Sequence, residues 1–194
     1  MCKDRFRKVI YFSRRETYPE KAGVTFCGLI SFVLTITFTI LFAMKLSKAS
    51  SMGDEYYCTD FRTKQASTDD PYYVPINVGE AWKFIFLTNL ILYGLLSLFS
   101  LFAMVGGFVP VFRIMACFGY FFAAGYYIFV AIYTIMYRFS AAGIYCTHAP
   151  YPGGVFNEHG EFLRKASISH WVLLCPLICL GTSGMNTIKQ EGSE

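Results

Sequence analysis

The sequence predicts an all-α membrane protein: a four-transmembrane-helix bundle with two ordered extracytoplasmic loops. Four long apolar stretches, near residues 23–44, 82–105, 114–137 and 168–185, carry no charge at their centres. A helix crossing the hydrocarbon core needs about 20 such residues, a length the first three stretches reach cleanly. Charged residues make up only 15% of the 194-residue chain, against about 25% in soluble domains, and mean hydropathy is +0.42. Stretches that are apolar on every face, rather than along one stripe, are built for lipid.

Residues 1–22 form a basic segment with Lys3, Arg5, Arg7, Lys8, Arg14, Arg15 and Lys21. Cations beside a first span mark the cytoplasmic side, so both termini are expected there, with 186–194 a short tail. The net charge of +4 is concentrated in this segment, which argues against nucleic-acid binding. Phe6, Val9 and Ile10 among the cations fit a helix lying on the membrane surface, with a basic tail as the alternative. The first apolar run is too long and starts too late for a cleavable signal peptide, so the first span is expected to direct its own insertion.

Thr17 and Glu20 have capping-box spacing, with Pro19 in the first turn, and should start the first helix. It should end near Met44 and Lys45, where the ammonium can reach the interface. Asn77 and Glu80 repeat the cap spacing at the second helix, followed by Trp82 and Lys83 at the interface. Gly106, Gly107 and Pro110 make a short internal turn before the third span. The outer loops, about 45–81 and 138–167, are stiffened by Pro71, Pro75, Pro150 and Pro152, and a short helix is expected near 161–166. The fourth span carries Pro176, Gly181 and Gly184 and reads as kinked.

Cys58 and Cys146 are the single cysteines of their loops. On an oxidising side they should form a disulfide; in a reducing compartment they would be free thiols. Cys27 and Cys117 read as small buried hydrophobes, and Cys2, Cys27 and Cys117 also as palmitoylation candidates.

Within the spans, Ser31, Thr35 and Thr39 share one helix face, and Asn89, Tyr93, Ser97 and Ser100 share another. These intramembrane stripes should pair across the first two helices, each interhelical bond contributing about 0.6 kcal/mol, or bond to their own backbone; the functional alternative is a hydrated path. Ala116, Gly119 and Ala123 make a small-residue stripe on the third helix, which with Tyr126 and Tyr133 forms the expected helix-contact face. Tyr137 continues the tyrosine row, and Tyr120 and Tyr127 sit nearby.

No Asp, Glu, Lys, Arg or His lies in mid-span, which argues against proton relays, voltage sensors and ion-coupled carriers. His170 is expected at the interface, and His148 and His159 match no metal spacing. No phosphate loop, nucleophile elbow or metalloprotease motif occurs. The expectation is a non-enzyme with no cofactor and no bound metal.

A basic leader, four spans, two loops with one cysteine each and a short tail resemble the tetraspan membrane proteins, with a layout loosely like the MARVEL arrangement. The tetraspanin Cys-Cys-Gly signature and the claudin-type Gly-Leu-Trp motif are absent from the loops. The expected function is that of a structural or accessory subunit of a larger membrane assembly, acting through lateral helix and loop contacts. A pore-forming homo-oligomer and a small subunit of an organelle energy-transducing complex are the alternatives. Partners would be lipids and other membrane proteins or further copies of itself. A plasma or endomembrane location is favoured over the mitochondrial inner membrane.

Overall fold

A computed structural model describes residues 18–58, 77–148 and 154–171. The basic leader, most of the first outer loop, the 149–153 turn and residues 172–194 lie outside this set. With them go the surface-helix, Thr17-cap and tail expectations, and all of the expected fourth span beyond residue 171.

The described chain is helical, with no strand among the described residues. Helix α1 is Tyr18–Ser51, followed by a 3-10 turn at Gly53–Glu55. Helix α2 is Val78–Gly106, α3 is Pro110–Phe139 and α4 is Ala141–His148. A fifth helix, α5, covers residues 155–171. Three segments are long and apolar enough to cross a membrane: Thr25–Ser51, Val78–Gly106 and Val111–Phe139. The chain is thus a helical protein with several membrane-capable helices.

Several expectations need correcting. Cys27, expected as a small buried hydrophobe, is exposed, and Cys117 is half-buried. Helix α1 runs about two turns past Lys45, because Ala49 is fully buried and Lys45 and Lys48 are both engaged by Glu158. The short helix expected at 161–166 is part of the much longer α5. Its inward face is Phe156, His159, Gly160, Leu163, Ala166, Ser167 and His170, all buried, while Asn157, Glu158, Arg164, Lys165, Ile168 and Trp171 are exposed. That is the 3.6-residue period of an amphipathic helix. A search for uniformly apolar runs passes over it.

The chain divides into two compact units, and each of the three long helices contributes to both. The described part of unit one is 18–38 and 92–126. Here helices approach closely at glycines: a Cβ on Gly28 would lie 2.7 Å from the Met104 backbone nitrogen, and one on Gly119 would run into the Phe99 ring. Small residues of this kind let helix backbones close on one another where lipid supplies no hydrophobic drive. The α2–α3 turn is closed by the Phe108 and Val109 amides, both donating to the Val105 carbonyl.

The described part of unit two is 39–58, 77–91, 127–148 and 154–171. Asn77 caps α2, its Oδ1 accepting from the Gly79 amide at 3.0 Å and the Glu80 amide at 3.4 Å. Such a cap satisfies donors that a helix start leaves open. The Val78 amide donates to the Cys58 carbonyl at 2.9 Å. A side chain at Gly79 would collide with the Tyr56 carbonyl oxygen, so only glycine lets the two segments meet.

Candidate functional site

Each unit holds one cluster of polar side chains that link the apolar helices. In unit one, Ser100 Oγ donates to the Leu96 carbonyl at 2.7 Å. Its oxygen then accepts from Ser31 Oγ at 2.9 Å and from the Tyr120 hydroxyl at 2.7 Å. One serine thus joins α1, α2 and α3. Thr35 donates instead to the Ser31 carbonyl at 2.8 Å, and Ser97 to the Gly94 carbonyl at 2.8 Å. Tyr93 is fully buried and stacks on Phe38 with ring centroids 5.0 Å apart.

The second cluster lies in unit two and centres on Asn89, which is fully buried. Its Nδ2 donates to the Ile85 carbonyl at 2.9 Å and to Thr134 Oγ1 at 3.2 Å. Thr134 in turn donates to the Val130 carbonyl at 2.7 Å. With Nδ2 so occupied, Oδ1 is left to accept from His170 Nε2 at 2.9 Å. His170 Nδ1 lies 2.6 Å from the Ala166 carbonyl oxygen, and the Tyr127 hydroxyl donates to the His170 carbonyl. Asn89, Thr134, His170 and Tyr127 therefore bind α2, α3 and α5 into one network. His170 corrects the expectation of an interfacial residue: it is only 1% exposed.

The α3 contact face also shifts from the expected one. Ala116, Gly119 and Ala123 are buried, but the stripe continues through Tyr127, Val130, Thr134 and Arg138. Tyr126 and Tyr133 are half-buried at its edge. Tyr133 packs on Tyr137 with centroids 4.4 Å apart and on Phe84 at 5.4 Å. Thr39 is half-buried on α1. The step from Ala123 to Tyr127, rather than to Tyr126, keeps the buried row on one side of a 3.6-residue helix.

Unit two also holds a cross-linked cap. Cys58 and Cys146 form a disulfide with Cα atoms 6.1 Å apart, closing 88 residues of chain. Beneath it Tyr56 stacks on Phe156 at 4.6 Å, and Phe156 meets the buried Trp82 at 5.7 Å. The Tyr56 hydroxyl and His159 Nδ1 are 2.7 Å apart. Both residues are buried, with Phe86 edge-on to the imidazole at 5.1 Å. Burial pushes the His159 imidazole down to about 4; nearby Lys45 and Lys48 push the same way, and Glu158 opposes them. Burial also pushes the Tyr56 phenol up.

Around this cap lie charges, and Lys45, expected to reach the interface, is instead paired with Glu158. Glu158 accepts from both Lys45 and Lys48, and these bonds hold its carboxyl down to about 2. Arg138, only 3% exposed, donates through Nε to the Gly160 carbonyl at 2.6 Å and lies 4.0 Å from Glu161. The signal for Arg138, His159 and His170 was present in the four-residue rows on α3 and α5, which no apolar-run search weighs.

No group of three or more His, Cys, Asp or Glu that could hold a metal occurs among the described residues. The chain matches no protein-family model, no curated protein and no solved structure. What the fold and site define is therefore a class: a helical protein with membrane-capable helices, tied internally by buried polar networks and a disulfide-linked cap.

Proposed function

We infer that the protein is a non-enzymatic tetraspan that serves as a structural or accessory subunit of a larger membrane assembly. In this reading the fourth span is residues 168–185, entered through α5. The termini lie in the cytoplasm and the disulfide-linked loops on the opposite face, in a plasma or endomembrane. Membrane lipids and other membrane proteins are its partners, reached through lateral contacts.

The observation that carries this reading is where the polar side chains go. Thr35, Asn89, Ser97 and Ser100 are each less than 10% exposed, bonded to their own backbone or to neighbouring helices of the same chain. The outward faces of the same helices are apolar, with Phe26, Val33, Phe121, Phe122, Ile132 and Met136 more than half exposed. Such a molecule has its hydrogen bonds spent internally and offers the bilayer only shape and apolar area. A homo-oligomeric pore lined by these stripes would have to turn them outward.

The test is the mass of the protein gently extracted from its own membrane. The expected result is a defined complex well above the 22.0 kDa chain, containing at least one other membrane protein. A bare monomer would overturn the proposal. Reconstituted alone, the protein should be electrically silent; conductance altered by Thr35→Val or Asn89→Leu would favour the pore. Comigration with a respiratory complex, with Cys58 and Cys146 reduced, would move it to the organelle alternative.

A further inference from the structure

Residues 52–58 lead from α1 to the disulfide, and the Tyr56 side chain pins them to α5. The donor in this contact is fixed by the surroundings. The phenol keeps its proton, so its hydroxyl donates and His159 Nδ1 accepts. The imidazole proton then sits on Nε2, which is buried with no hydrogen-bond partner, in a ring that packs against Phe86 at 5.1 Å and Tyr56 at 5.5 Å. A neutral histidine fits this pocket. A charged one does not: Nδ1 would become a donor, the phenol proton would lose its acceptor, and a cation would lie buried against Tyr56 and Phe86. Burying an unpaired charge or an unmatched polar group is costly.

The charges around the imidazole reinforce this. Lys45 and Lys48 approach from α1, with Glu158 the neighbouring acid on α5 already engaged by both. From α2, Lys83 is held by the Gly53 carbonyl at 3.1 Å and lies 5.4 Å from the Tyr56 ring centre; Glu80 is exposed. From α3, Arg138 reaches the adjacent Gly160. In the 3-10 turn, Asp54 and Glu55 are exposed. Cations dominate close to the ring, so a further positive charge there is disfavoured twice, by burial and by its neighbours.

We propose that His159 is an acid-operated latch: neutral, it holds residues 52–58 on α5 through Tyr56, and protonation releases them while the Cys58–Cys146 bond keeps them tethered. Release uncovers the Tyr56, Phe156 and Trp82 rings, which are buried at neutral pH. The sign follows from linkage. The folded-state value of about 4 lies below the ordinary 6.5. The latch is therefore at full strength above about 6.5 and weakens as pH falls through that interval. Glu158, held at about 2, titrates below this window.

The test is Trp82 emission against pH for the full chain in lipid nanodiscs, in a Trp171→Phe background that removes the other tryptophan. The expected result is a reversible one-proton red shift with its midpoint between about 4 and 6.5. His159→Phe should abolish the shift, and Tyr56→Phe, which removes the donor favouring neutral imidazole, should raise its midpoint. His170→Gln should leave the midpoint in place. An unchanged transition in His159→Phe, or no transition above pH 4, would overturn the latch. Should His159→Phe fail to fold, ring-nitrogen NMR of labelled histidine in the unmutated protein decides. Protonation of His159 in step with the Trp82 shift supports the latch, and any other order refutes it.

Discussion

The two units are made from the same helices and hold together differently. Unit one relies on close approach: Gly28 lets the α1 backbone meet Met104, Gly119 receives the Phe99 ring, and one serine joins three helices. Unit two relies on cross-links: the Asn89–Thr134–His170 network, the buried Arg138, two lysines on Glu158 and a disulfide. The physical lesson concerns the surfaces being joined. All-apolar helices gain nothing from hydrophobicity in lipid and must fit by shape. Helix α5 exposes Glu158, Arg164 and Lys165 beside Ile168 and Trp171 and turns histidines inward, so it needs specific partners to be held.

Cys58→Ser should cost about 2–5 kcal/mol and lower the thermal midpoint in detergent, while the Ser31–Ser100–Tyr120 contact survives. Simultaneous collapse of both units would show that they do not respond separately. Gly28→Val is the matching blow to unit one. Overpacking typically costs about 1–3 kcal/mol, and here the obstacle is backbone, which yields least. The same thermal scan, with the disulfide still intact by gel shift, checks it.

Asn89→Leu comes next, at about 1–3 kcal/mol, because His170 loses its acceptor while buried. Amide exchange along α5 should accelerate more than along the first half of α1. Ser100→Ala should cost only about 0.6 kcal/mol, since Ser31 and Tyr120 can each turn to another acceptor. The smallest effect belongs to Lys48→Gln. The pair is half exposed and such bridges contribute about 0–1 kcal/mol, so the thermal midpoint should stay nearly level and its salt dependence should weaken slightly.

Legibility in the sequence tracked how local the cause was. Asn77 caps α2 as its spacing with Glu80 foretold, because a cap needs only neighbours in the chain. Ser31 meets Ser100 across α1 and α2 as two polar stripes should. Asn89, in the same stripe, turns instead to Thr134 and His170, since its side chain reaches α3 and α5 rather than α1. Tyr126 and Tyr133 gave way to Tyr127 and Thr134 as the buried row of α3, a choice of phase that depends on which neighbour stands beside the helix. His159 and His170 were invisible as a site because the side chains that match them lie far away in sequence: Tyr56 for one, Asn89 for the other.

By itself the sequence marked three helices long and apolar enough to cross a membrane, but neither α4 nor the full length of α5. Long uncharged runs leave a backbone no choice but to satisfy its own hydrogen bonds as helix, and glycine and proline placed the turn between α2 and α3. It also marked the loop cysteines as a pair, each being alone in its loop. Tertiary structure decided which faces look inward, how far α1 and α5 extend, and which polar side chains meet. Those outcomes depend on groups brought together from across the chain, as when Lys45 finds Glu158 and Asn89 finds His170. Periodicity marks a face along a helix, but only packing supplies its partner.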